Sequence, residues 1–400
     1  MIDSYCDKKK SWFFVIICMS SLYNFGNSIL RMIGMMTLLI FIVLIIYKRI
    51  YRIIFRGNDG VVVIGLIMLY AIAVLKNVSF YALRSFLLAV VSIACVYYFS
   101  DIDIKRIDFK TIRYVMILQC VLLFIPMFMN RGWDEIGSYQ SFFSTTTFLG
   151  DYSTLMIEIS FLCAMYTNRN KLTWYLIIMT YFVLLILSRT RTPLIGLFII
   201  ACFVLAKKRL KKRKSTFYKS LSMLWILVII GATVAYVYFD RMPYSQEIQL
   251  LVFKYTHKPL LSGREIIWKG AIEETKDSFL FGLGYDYRSK IMYDSVHNSY
   301  IDVYVFGGII TLTLSIIFIV ILLNRIRPDL DRCKYYCYAC CLANLLTSVG
   351  EVMLFRGQST LQIIIWSIIG LGINNSLYND YVHRDRGEIN CTSIKKEVVQ

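Results

Sequence analysis

The chain has 400 residues, of which 58% are hydrophobic and 18% charged, with a mean hydropathy of +0.59. Soluble domains carry roughly 25% charged residues, so this composition excludes an ordinary soluble domain and, equally, a collagen-like, disordered or secreted disulfide-rich chain. The formal net charge of +18 suggests nucleic acid only until the cations are located: the densest run, Lys207–Lys214, sits between two apolar stretches, where membrane topology accounts for it.

The apolar runs are continuous, as at 38–47 and 316–323, whereas a transmembrane β-strand alternates polar and apolar residues. A helical span needs roughly 20 apolar residues. The sequence therefore predicts an all-α polytopic membrane protein with about twelve transmembrane helices, at 12–28, 30–47, 60–75, 79–99, 114–129, 151–167, 172–187, 193–206, 221–238, 303–324, 335–350 and 359–375. Lys8, Lys9 and Lys10 ahead of the first run resemble the basic start of a signal peptide. No small-residue cleavage site follows them and more spans do, so the run reads as an uncleaved first helix. Residues 1–238 thus hold nine helices with short loops, 239–296 form one large outer loop, 297–380 hold three more helices, and 381–400 are a tail. Most of the 44 Lys and Arg fall in alternate connections and the two tails, which places both termini in the cytoplasm.

The eleven cysteines lie in apolar runs, inner loops or tails, so no structural disulfide is expected outside. Cys333, Cys337, Cys340 and Cys341 have no matching second pair for a metal site. The large loop at 239–296 carries apolar runs such as Ile248–Phe253 and Glu265–Ile272. These predict short helices that cap an outward-facing cavity, because so apolar a segment does not stay disordered.

Chemistry concentrates on the outer side. Of the three histidines, His383 is in the tail and His257 reads as a loop residue. His297 stands where the polar loop passes into the apolar run. An imidazole there can act as a general base or simply cap a helix. Arg189 and Arg191 occupy a short outer turn before Pro193, and Arg264 opens a helical pattern behind Ser262 and Gly263. Arg356 follows Glu351 on the last outer turn, and Arg84 lies about five residues into its span, where snorkelling to the surface is its bland reading. A guanidinium binds phosphate through a planar fork, so several on one face suit a diphosphate, although each alone could anchor the interface. Neither GxxxxGK[ST] nor HExxH occurs. The first outer loop also lacks the carboxylates by which oligosaccharyltransferase-type enzymes hold a divalent metal.

Ser262-Gly263-Arg264-Glu265-Ile266-Ile267-Trp268, Phe281-Gly282-Leu283-Gly284-Tyr285, His297-Asn298-Ser299-Tyr300 and Gly307-Gly308-Ile309 resemble the O-antigen polymerase (Wzy) and O-antigen ligase (WaaL) superfamily. The Ser188–Thr192 turn and the Glu351/Arg356 pair resemble further parts of it. The resemblance implies inverting, metal-independent glycosyl transfer, without a cofactor, at the periplasmic face of the bacterial inner membrane. The donor would be a glycan on undecaprenyl diphosphate and the acceptor a sugar hydroxyl. Arg191 and Arg264 match the positions expected to hold the diphosphate, with Arg189 beside them. His297 matches the base or acceptor-orienting residue, with Asn298 fixing its geometry, and Glu351 and Arg356 match the late pair. Implied partners are the lipid-linked glycans, the bilayer, a chain-length regulator and the flippase, with no nucleic acid. Asp294, Ser295 and Val296 stand where ligases often carry a further histidine, which favours the polymerase over the ligase. A polysaccharide flippase or other transporter is the reading from another class; no repeat between the chain's halves supports it.

Overall fold

The computed structural model describes residues 28–47, 59–102, 104, 107–135, 137–167, 170–210, 213–256, 260, 263–287, 295–326, 328, 331–355 and 360–373. The predicted first span at 12–28, His257, Ser262, Arg356, His383 and the C-terminal tail fall outside these, apart from Ser28 itself. The described residues are helical, with one isolated β-bridge between Trp133 and Tyr139. In chain order the helices are α1 Ser28–Tyr47, α2 Gly60–Lys76, α3 Phe80–Ser100, α4 Phe109–Phe128, α5 Thr146–Tyr166, α6 Lys171–Ser188, α7 Arg191–Leu210, α8 Ser215–Val237, α9 Ser245–Thr256, α10 Arg264–Glu274, α11 Ser299–Arg325, α12 Arg332–Thr347 and α13 Leu361–Ile373.

Among the described residues six helices, α3, α4, α5, α6, α8 and α11, are long and apolar enough to cross a membrane, and α2 and α13 are shorter apolar helices. The chain is thus a multi-pass helical membrane protein by length and composition. Helix starts lie a few residues ahead of the apolar runs because polar caps open them. Asp108 accepts from the Lys110 N–H at 3.0 Å, and Thr145 from Phe148 at 3.3 Å. Asn298 accepts from Tyr300 at 2.9 Å and Ile301 at 3.0 Å. Such caps satisfy N–H groups that have no partner within the helix.

Helix α5 is the most enclosed of the spanning helices, packed on α6 with α7, α12 and α13 around it. α13 packs against α3, and α12 bridges α7 and α13. Close approach depends on small residues: a side chain at Gly370 would meet the Val96 carbonyl at 2.4 Å, and one at Gly150 would meet Thr190 at 2.0 Å.

The segment between α8 and α11 holds α9 and α10, which coincide with its two apolar runs. It is pinned to the bundle by backbone. Gly308 adopts φ 74° and ψ −176° inside α11, which breaks the i→i−4 ladder and releases the carbonyls of Val305 and Phe306. These accept from Leu283 at 2.7 Å and Gly284 at 3.0 Å, while the Ile309 N–H donates to Phe279 at 2.9 Å. Lys76 at the end of α2 donates to the Phe281 and Gly282 carbonyls at 2.9 and 2.7 Å, and Asn77 to Leu283 at 2.8 Å. The two glycine motifs, far apart in sequence, are therefore one joint.

Candidate functional site

At the end of the bundle where α5 and α7 begin and α6, α8 and α12 finish, a cavity of about 450 Å³ is lined by Arg189, Arg191, Arg264, Glu351, Tyr236 and the threonines of the α5 and α7 starts. Each side chain has a local reason for its place. Arg189 caps α6 in the left-handed conformation, φ 50°, with its N–H on the Ile186 carbonyl at 3.1 Å. The turn is then tight enough for Arg191 to open α7, with Pro193 in the first turn where a missing N–H costs nothing. Partial burial lowers the Arg191 pKa, and the positive charge of Arg264 pushes the same way. Two cations that disfavour each other across a cavity prefer an anion between them.

Arg264 is the first residue of α10, behind Gly263 at φ 77°. Its guanidinium donates to the Glu351 carboxylate at 2.7 Å and to the Gly350 carbonyl at 2.5 Å. Two of its five N–H groups are thus used to aim the rest. Helix α10 is itself anchored by Trp268, which is fully buried, donates to the Val296 carbonyl and packs on Tyr236 with ring centroids 4.5 Å apart.

Val296 immediately precedes His297, so the anchor of α10 also sets the histidine. His297 has φ 46°, a conformation costly for a residue with a side chain, and its Nδ1 lies 3.4 Å from the other Glu351 oxygen. The fully buried Asn298 then starts α11. Ser299 ties that start to the loop carrying Glu351: its Oγ donates to the Glu351 carbonyl at 2.8 Å and accepts from Met353 at 2.9 Å. One carboxylate therefore joins an arginine from α10 to a histidine before α11.

Of the residues singled out in the sequence, the structure gathers Arg189, Arg191, Arg264 and Glu351 around the cavity, with His297 in contact through Glu351. Asn298 stands behind them as a cap. Arg84 is not among the lining residues; it lies in the first turns of α3 with its guanidinium 5.2 Å from the Tyr81 ring. Arg356 lies outside the described residues. Sequence reasoning passed over Asp151, a buried residue on the first turns of α5 that interacts electrostatically with Glu351 and Arg264. A carboxylate inside an apolar stretch is itself a signal of function, and Asp151 and Glu158 both carried it. Glu158, one heptad further on, accepts from the Asn344 amide at 2.9 and 3.2 Å.

Among the described residues, no group of three or more His, Cys, Asp or Glu is placed to hold a metal ion. The fold and the cavity define a multi-pass membrane protein with a cationic pocket at one end of its helices. Residues 174–328 match the family model described as O-antigen ligase, a stretch that runs from within α6 to just past α11 and includes Arg189, Arg191, Arg264, His297 and Asn298. The match supports the O-antigen ligase/polymerase superfamily that the motifs resemble. A search of curated proteins finds no match to the chain.

Proposed function

We propose that the protein is an O-antigen polymerase, joining undecaprenyl-diphosphate-linked repeat units at the periplasmic face of the inner membrane by inverting, metal-independent glycosyl transfer. The observation that carries this reading is the convergence of Arg189, Arg191 and Arg264 on one cavity, with Glu351 linking Arg264 to His297.

When the acceptor hydroxyl attacks the anomeric carbon, the diphosphate leaves with increased negative charge. Arg191 and Arg264, held before the reaction begins, stabilise that charge, and a well-aimed donor is worth roughly 3–4 kcal/mol. Glu351 orients His297 through Nδ1 and leaves Nε2 to take the hydroxyl proton. Asn298 and Ser299 hold the histidine's backbone, so the base does not drift relative to the carboxylate.

The description of the matched family favours a second reading, an O-antigen ligase that transfers the same kind of donor to lipid A-core with the same residues. Deleting the gene in its host separates the two. Core carrying a single repeat unit on a lipopolysaccharide gel is expected for the polymerase. Bare core with long glycan retained on the lipid carrier identifies the ligase. Complementation with His297→Ala or Arg264→Ala is expected to leave the deletion pattern while the variant accumulates in the membrane; a wild-type ladder from either removes that residue from the site.

A further inference from the structure

A second polar cavity, of about 330 Å³, lies at the opposite end of the same helices. α5 ends there at Tyr166, α6 begins at Lys171, the last turn of α7 brings Lys207, and α12 begins at Arg332. These three cations line the cavity together with one carboxylate, Asp331. That carboxylate is turned inward, accepting from the Tyr166 hydroxyl and from the Cys333 N–H, each at 3.1 Å. One carboxylate offsets only one of the three positive charges, so the cavity stays cationic. The remaining wall is aromatic and aliphatic, including Phe161, Met165 and Val204, side chains of helices that run on into the bundle.

We propose that this cavity binds the phosphate headgroup of an anionic diacyl phospholipid, with its chains along the apolar wall. A soluble anion would use the cations and leave that wall idle; an amphiphile uses both. In the sequence a basic run continues from Lys207 to Lys214, and such clusters favour the leaflet with anionic lipid. The inference is independent of the transfer reaction, since none of these residues lines the arginine cavity.

The test is native mass spectrometry of the purified full-length protein with phosphatidylglycerol or phosphatidylcholine as probe. Preferential retention of phosphatidylglycerol is expected, weakened about fivefold for each lysine removed in Lys171→Ala and Lys207→Ala and kept in the Lys171→Arg/Lys207→Arg protein. Should the alanine variants fail to fold, Arg332→Gln tests the same cavity through an exposed side chain. Equal retention of the two lipids by the wild type, retention unchanged in well-folded variants, or inorganic phosphate binding as tightly as the lipid would each overturn the proposal.

Discussion

At the scale of single residues, Glu351 links two side chains of the site: one oxygen holds Arg264 at 2.7 Å, the other faces His297 at 3.4 Å. Glu351→Gln keeps the shape and removes the charge. Charge-assisted hydrogen bonds contribute roughly 1.5–3 kcal/mol, so the yield of long-chain glycan in the complemented deletion strain is expected to fall about ten- to hundredfold with protein level in the membrane unchanged. A full ladder would show that Glu351 only packs the site. Asn298 makes a different kind of contribution. Its Oδ1 caps α11 through two N–H groups, and removing such a cap costs roughly 0.5–2 kcal/mol. Asn298→Ala is expected to lower the melting temperature of the purified protein and Asn298→Ser to restore part of it, because serine also caps a helix and buries no charge. Both residues were legible in the sequence as members of motifs. That they act as a link and a cap was not, since Glu351's partners lie 54 and 87 residues away and Asn298's are in the backbone.

At the scale of elements, the joint between the glycine loop and α11 decides where the outer segment sits. A Cβ at Gly308 would stand 2.2 Å from the Leu280 carbonyl, on a residue whose φ of 74° already disfavours a side chain. Gly308→Ala is therefore expected to cost several kcal/mol, above the roughly 1–3 kcal/mol of ordinary overpacking, and to remove folded protein from the membrane. At Gly231 on α8 an added Cβ would meet nothing within 4 Å, and the residue has no positive φ. Gly231→Ala is expected to be neutral or to stabilise by up to about 1 kcal/mol. Equal melting temperatures for the two variants would dissolve the joint as a structural element. The sequence displayed both glycine motifs and the two short helices between α8 and α11. It could not display that Gly282 and Gly308 meet, because close backbone contact leaves no periodic trace.

At the scale of the whole molecule, the arginine cavity and the lysine-rich cavity lie at opposite ends of α5, α6, α7 and α12. By the positive-inside rule the basic run at the end of α7 is expected on the cytoplasmic side and the arginines on the outer side. Alkaline phosphatase fused after Tyr244 is expected to be active and the same enzyme fused after Arg213 inactive; the reverse pattern would invert the orientation and put the arginine cavity in the cytoplasm.

Composition and apolar run length determined, without any structure, that this chain is helical and crosses a membrane several times. A backbone in lipid must satisfy its own hydrogen bonds, and a helix is the only way for a single continuous apolar segment to do so. Motif order indicated the superfamily, and residue chemistry singled out the arginines and the histidine. What the tertiary structure decided is which of them share a space. Arg84 is as basic as Arg264 in the sequence, yet one lies over Tyr81 and the other grips Glu351. Asp151, a carboxylate in an apolar stretch, interacts electrostatically with the same cluster. Charges act over a few ångströms, and only the folding of α5, α7, α10 and the α12–α13 connection onto one another sets those distances.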